Sequence, residues 1–219
     1  MKFTTLSLIF FLLTFGLFAQ TFEFEASVRP AITSLRGNQP IRDNFDPDFH
    51  LGYGLGGNLV FNNTSVLNVA LLYEKKGGYD ETTIELRDND GNFAGTAPMT
   101  NELTYTYFTL PVQYGKRFGE KIQFEVTMGG YISYLSARKL VNAIPGFSTE
   151  DESKASVKEF DFGLAGGFNV YFPLNENVFF KTGITDLYGL ANTSSVKVAN
   201  DGSIKHNSLA LTLALNVRF

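Results

Sequence analysis

His50 and His206 are the only histidines of this 219-residue chain. Each has hydroxyl or carboxylate residues close in sequence: Asp46 and Asp48 precede the first, and Ser203 and Ser208 flank the second. A histidine held between an aspartate and a serine can deprotonate the hydroxyl, making a nucleophile for lipid acyl transfer or hydrolysis. That chemistry also needs a sharp turn presenting the serine, and none accompanies these residues. Two histidines without a third ligand at recognisable spacing make a poor metal site. Asp43, Asp46 and Asp48 could gather a surface cation. Asp88-Asn-Asp-Gly91 invites a calcium reading, but the loop lacks the glycine at its sixth position and the glutamate at its twelfth, and a hairpin tip explains it better. Gly52-Tyr-Gly-Leu-Gly-Gly57 spells G-x-G-x-x-G, yet Asn58-Leu-Val-Phe-Asn-Asn63 follows it instead of a helix able to hold a pyrophosphate. Its glycines read as small residues facing the inside of a sheet. No catalytic, cofactor-binding or metal-binding residue is therefore expected, and no cofactor; His50 and His206 read as hydrated rim residues.

The elements that would carry these residues begin with a secretory signal. Lys2 supplies the positive end, Leu6 to Phe18 the apolar core, and Ala19 a cleavage residue, so residues 1–19 are expected to be removed and 20–219 to form one domain. The apolar stretch is shorter than the ~18–20 residues of a spanning helix. A net charge of −4 without a basic run argues against nucleic acid as a partner. The chain contains no cysteine, so no disulfide supports the exported protein.

Beyond the signal, large apolar residues alternate with small or polar ones in eight runs: 22–32, 50–62, 66–76, 103–117, 122–135, 157–172, 178–188 and 209–219. Alternation is the mark of a strand with one apolar and one polar face. In 103–107 the apolar phase reverses, which predicts a bulge or a rise above the lipid. The connections alternate as well. Segments 34–49, 77–102, 141–156 and 189–205 are long, whereas 62–65, 118–121 and 173–177 are tight, as in barrels with short periplasmic turns and long outer loops.

Which face meets lipid follows from the polar face, which is rich in Gly, Ala, Ser, Thr and Asn with scattered charges: Glu25, Arg29, Glu74, Glu125, Glu159, Asp161, Lys181 and Arg218. Eight strands enclose only enough room for such side chains, so the Phe, Leu and Ile set must face outward. The fold class expected is all-β, an eight-stranded antiparallel up-and-down transmembrane β-barrel. Tyr53, Phe61, Tyr73, Tyr114, Phe124, Phe172, Phe180 and Phe219 are expected in interfacial girdles. Closure should bring Glu23 or Glu25 to Arg218 as an interior ion pair, or leave all three solvated at the mouth.

Several segments, in this order, resemble the PorT-like small outer-membrane β-barrel domain family: Leu71-Leu-Tyr-Glu-Lys-Lys-Gly77, Tyr107-Phe-Thr-Leu-Pro-Val-Gln-Tyr114, Gly129-Gly-Tyr-Ile-Ser-Tyr-Leu135, Asp161-Phe-Gly-Leu-Ala-Gly-Gly-Phe168 and the terminal Phe219. Proline inside a strand tends to mark an edge or a bulge. The resemblance implies a location in the outer membrane of a Gram-negative bacterium, outer-membrane lipid around the barrel, and insertion by the barrel assembly machinery, which reads the C-terminal aromatic. It carries over no catalytic or binding residue. The function expected is a non-enzymatic envelope structural or interaction role, accessory to protein secretion, with a protein partner meeting the long external loops. A small-solute or lipid transporter and a lipid-modifying rim enzyme stay open as alternatives.

Overall fold

The computed structural model describes residues 21–37, 45–62, 64–198 and 202–219. The expected signal and Asp43 lie outside them. Every element is a strand: β1 (Thr21–Gly37), β2 (Asp46–Phe61), β3 (Ser65–Arg87), β4 (Phe93–Phe118), β5 (Gln123–Ile144), β6 (Phe147–Asp151), β7 (Phe160–Pro173), β8 (Val178–Gly189) and β9 (Ile204–Arg218). Eight of them close a ring in the order β4-β3-β2-β1-β9-β8-β7-β5, sealed by β4–β5 pairing. The ninth, β6, folds back on the outer end of β5.

Cross-strand partners lead from Phe22 through Leu59, Leu67, Tyr114, Met128, Gly166, Asp186 and Leu209 back to β1 at Ile32, ten residues further along. A stagger of ten over eight strands spaced ~4.8 Å apart, at ~3.3 Å per residue, tilts the strands by about 40°. Phe108 and Phe118 stand ten residues apart on the outer face of β4, which at that tilt is roughly 25 Å of height, the thickness of an outer-membrane hydrocarbon band.

Aromatic residues mark both borders. Phe22, Phe118, Phe124, Phe172, Phe180 and Phe219 gather at the turn end, with the Phe22 and Phe219 rings 6.3 Å apart. Phe49, Phe108, Tyr134, Phe160 and Tyr188 stand exposed at the opposite border. Tyr53 and Tyr114, expected in the girdles, sit inside the band, because a tilted ring places equivalent registers at different heights. Between the borders the outer face carries Val28, Leu55, Leu71, Val112, Met128, Leu164, Ile184 and Leu213, all exposed. Asp186 is an exception on this face; it lies just under Tyr188 and accepts a hydrogen bond from Asn207 at 3.2 Å.

The phase reversal in β4 has a simple cause. Leu103, Tyr105 and Tyr107 stay on the inward face and pack with Leu35 and Leu135, while Thr104 and Thr106 face outward. Above the lipid the outside is water, so the apolar set belongs inside, as in a soluble barrel. The bulge sits on the neighbouring strand, where Ser136 of β5 is the extra residue between the pairs Thr106–Ala137 and Tyr107–Leu135. Pro111 lies in the middle of β4, inside the ring and not at an edge. Its missing N–H coincides with a lapse in the β3–β4 ladder between Val112 and Thr109, with no change of register.

Two other expectations, for Glu159 and for Gly57, are corrected. Strand β7 begins at Phe160, so Glu159 is exposed in the preceding loop and is not an interior charge. Phe179 points inward, with the Arg218 guanidinium 4.4 Å above its ring. Gly57 faces outward under the Phe22 ring, whereas Gly52, Gly54 and Gly56 face inward as expected. At Gly54 a Cβ would meet Leu72 and Ser27 at 2.6 Å, so only glycine fits that crowded interior. The second long loop rises as the hairpin that its Asp88–Gly91 tip suggests: β3 and β4 pair as far as Arg87 and Phe93, well above the upper aromatic border.

The outward face of β9 supplies a test of the whole assignment. Leu213→Arg puts a charge into hydrocarbon and should cost roughly 2–4 kcal/mol. Thr212→Arg crowds a second guanidinium against Arg29, whose Nη1 already donates to the Thr212 hydroxyl at 3.1 Å, and should prevent the barrel from closing. Urea unfolding in lipid vesicles reads both; equal mild effects would reverse the inside and outside faces.

Candidate functional site

The interior holds the dense polar chemistry of the molecule. Among the described residues five buried carboxylates (Glu23, Glu25, Glu74, Glu125, Asp161) share the lumen with four buried cations (Arg29, Lys76, Arg117, Lys181) and the partly exposed Arg218. Burying a charge is tolerable only with a partner and satisfied hydrogen bonds; the register provides ion pairs for all of these but Arg29, whose Nη1 donates to the Thr212 hydroxyl while its Nε and Nη2 have no partner.

Arg117 is the centre of the lower cluster. It lies directly across from Glu125 on the β4–β5 ladder. Its Nε and Nη2 donate to Glu125 Oε2 at 3.1 and 2.9 Å, and its Nη1 reaches both oxygens of Glu23 at 2.9 Å. The guanidinium lies 4.0 Å over the Tyr171 ring, and the Tyr171 hydroxyl donates to Glu125 at 3.1 Å. Asn68 and Asn169 donate to the same carboxylate at 3.1 Å. Glu23 also receives Arg218 at 2.8 Å across the β1–β9 seam. The ion pair expected at closure is therefore interior, and Glu23 makes it. Glu25 pairs instead with Lys181 at 2.8 Å.

A second cluster fills the upper half. Lys76, fully buried, lies 3.3 Å from Glu74 and 3.4 Å from Asp161, with the Tyr131 ring 4.4 Å away. The Tyr131 hydroxyl donates to Asp161 at 3.1 Å, and the Thr109 hydroxyl donates to Glu74 at 2.7 Å. Between the clusters a cavity of about 30 Å³ is lined by Glu25, Arg29, Asn58, Gln113 and Lys181, room for no more than a couple of waters.

Both histidines stand near the upper end of the barrel, but they face inward and apart. His50 lies opposite Ala31, and His206 opposite Leu35, on the two sides of β1. His50 Nε2 is 3.3 Å from Asp48. His206 is fully enclosed: its Nδ1 lies 3.7 Å from Asp161 and 3.5 Å from the Tyr107 hydroxyl, and its ring packs on Tyr105. It is thus a core residue under an apolar cap and not a hydrated rim group. Ser208 is buried beside it in β9, and Ser203 lies in the preceding loop, so no serine–histidine–aspartate unit forms. Asp46 is exposed. Asp88 closes the hairpin tip, accepting from the backbone of Asp90 and Asn92 at 2.9 and 2.8 Å; the Asn92 amide holds its carboxyl below the usual range. Gly91, in the left-handed region at φ 84°, completes that turn.

The sequence reading missed Lys76, Arg117 and the inward tyrosines Tyr107, Tyr131 and Tyr171. The signal for Arg117 was present: it sits on the same face of its strand as Gln113, and the short 118–121 turn sets it against Glu125. The tyrosines carry a signal too: Tyr131 alternates in phase with Glu125 and Thr127, Tyr171 with Asp161 and Asn169, and Tyr107 lies in the segment of reversed phase.

The interior predicts its own energetics. Arg117→Ala leaves Glu23 and Glu125 buried with a cation removed and should cost about 3–5 kcal/mol. Arg218→Ala, at a partly exposed position where Glu23 keeps Arg117, should cost about 1 kcal/mol or less. Unfolding midpoints in urea check the ratio; similar losses from the two would remove Arg117 from the centre of the network.

No curated protein matches the chain. Solved barrels share its outline at low identity. Neisserial surface protein A is 12% identical with a TM-score of 0.48, over 90% of this chain and 97% of that one. OprG from Pseudomonas aeruginosa is 13% identical with a TM-score of 0.44, over 92% and 96%. Ail of Yersinia pestis is 13% identical with a TM-score of 0.39, over 88% and 97%. The decisive match is the family model described as outer membrane protein beta-barrel domain, which spans residues 13–195. The chain belongs to that family, a β-barrel of the Gram-negative outer membrane.

Proposed function

We propose that the protein is a non-enzymatic envelope component of PorT-like type that assists protein secretion by presenting its external β3–β4 hairpin to a partner. One observation carries this reading: the lumen is filled by charged side chains, all but Arg29 in ion pairs, around a cavity of about 30 Å³, while β3 and β4 continue as a paired ribbon to Arg87 and Phe93. A sealed interior offers no route for a solute, so interaction through the outer surface is what the geometry serves best. The enclosure of His206 and its separation from His50 weigh against rim catalysis in the same way.

The test uses the hairpin itself. Glu81 and Thr100 are cross-strand partners, so a two-residue turn can join them and remove the ribbon above while the barrel closes. The expected outcome is loss of one secreted substrate, matching the full deletion, with envelope permeability unchanged. Normal secretion in both strains would overturn the proposal. Purified barrel in planar bilayers should give no single-channel steps, whereas clear steps would restore the transporter reading. His50→Ala and His206→Ala should leave lipid composition unaltered; a changed lipid profile in either would restore the enzyme reading.

A further inference from the structure

The outer wall of the barrel just above the lipid border carries a second polar site that the lumen does not use. Its residues follow from register. Tyr73, Phe108 and Tyr134 are successive cross-strand partners on the outer face, at the upper end of the apolar band. Two residues higher, Lys75 stands beside Thr106, and Thr106 beside Ala137. Above that row come Gly77, Thr104 and Lys139, and then Tyr79, Glu102 and Val141. Thr104 and Thr106 face outward yet are buried, at 9% exposure each, because longer side chains stand up around them. The result is a groove of about 580 Å³ with a small-residue floor and with Lys75, Lys139, Lys154, Glu102 and Glu152 in its walls.

The β5 bulge shapes one side. The extra residue, Ser136, turns its carbonyl to Lys154 Nζ at 2.8 Å, which fixes that ammonium at the level of the lower row. Arg138, the cross-strand partner of inward-facing Tyr105, sends its side chain to the other face of β5 and offers the groove no cation. Lys139 is held by Glu150 at 2.8 Å and Arg138 Nη1 by Asp151 at 2.9 Å. The cations left to a ligand are therefore Lys75 and Lys154 at the lower level, and Glu102 stands four residues further up β4.

We propose that this groove binds the headgroup of an outer-leaflet lipid carrying both a phosphate and an ammonium group. A phosphate at the lower level meets Lys75 and Lys154, close to where acyl chains end against Tyr73. An ammonium extending away from the bilayer meets Glu102 and Glu152. The vertical order of charge, cations at the border and acids above, is the mirror of a phosphoethanolamine group leaving the membrane. A bare anionic phosphate would meet two carboxylates with no cation of its own to offset them.

Native mass spectrometry of the full barrel, released from detergent after incubation with one lipid at a time, measures the headgroup preference. Phosphatidylethanolamine should be retained as a single copy, about 5- to 30-fold more tightly than phosphatidylglycerol, as two exposed ion pairs allow. Lys75→Ala with Lys154→Ala should abolish that retention. Glu102→Gln with Glu152→Gln should keep the lipid phosphate and level the two headgroups. Each variant is first checked for closed-barrel migration on gels, and single substitutions replace any double that fails to close. Equal retention of both headgroups by the native barrel, a preference for phosphatidylglycerol, or variants that behave as native would overturn the site.

Discussion

A ring of eight strands with a stagger of ten leaves a lumen that only its own side chains can fill, and every charge placed there but Arg29 finds an ion-pair partner there. Arg117 meets that constraint most fully. It joins Glu125 on the adjacent strand β5 to Glu23 on β1, which lies across the lumen in the ring order. Glu23 then takes Arg218 from β9, so one network spans the seam between the first and last strands and the far wall. A closed sheet has no edge to exchange. The network adds register: a slip of one residue on any of these strands would turn its charged member toward hydrocarbon. Packing, closure and the absence of a passage are thus consequences of one electrostatic condition.

The same condition explains why the interior changes character with height. Below the upper aromatic border the outside is lipid, so apolar residues point out and the enclosed space must be polar. Above it the outside is water, and the cheapest arrangement reverses: Leu35, Leu103, Tyr105, Tyr107 and Leu135 turn inward and form an apolar cap. The border is therefore written twice, once by Phe108 and Tyr134 on the outside and once by the change of phase on β4. The two marks agree to within a residue.

Alternation made the eight ring strands, their antiparallel order and the lipid-facing set legible, because hydrocarbon imposes one rule on every strand. Closure made the Glu23–Arg218 pair legible, since the first and last strands must meet. Other features depended on contacts no local pattern carries. His206 has the sequence surroundings of a rim residue, and its burial comes from Tyr105 and Tyr107, which lie about a hundred positions away on a strand across the lumen. Tyr171 alternates in phase with Asp161 and Asn169 and so belongs to the inward face, but no local pattern says that its hydroxyl completes the Glu125 carboxylate. The hairpin above the membrane was legible from its length and its Asp88–Gly91 tip, but its register was not, because Gly77 to Glu102 alternates weakly and its structure rests on a cross-strand ladder.

That ladder decides where specificity can reside. Beyond Thr100, β4 has lost β5 as a neighbour, and beyond Tyr79, β3 has lost β2, among the described residues. An isolated two-stranded ribbon is marginal in water, yet this one is anchored below by a rigid barrel and closed above by the Asp88 turn, whose carboxylate takes both backbone amides of the tip. The lumen below is neutral, filled and capped, so no signal passes through it without breaking buried ion pairs. Along the ribbon and on the outer wall beneath it, side chains such as Lys75, Glu81 and Glu102 answer neither to hydrocarbon nor to the lumen, so their types are free to vary without cost to closure.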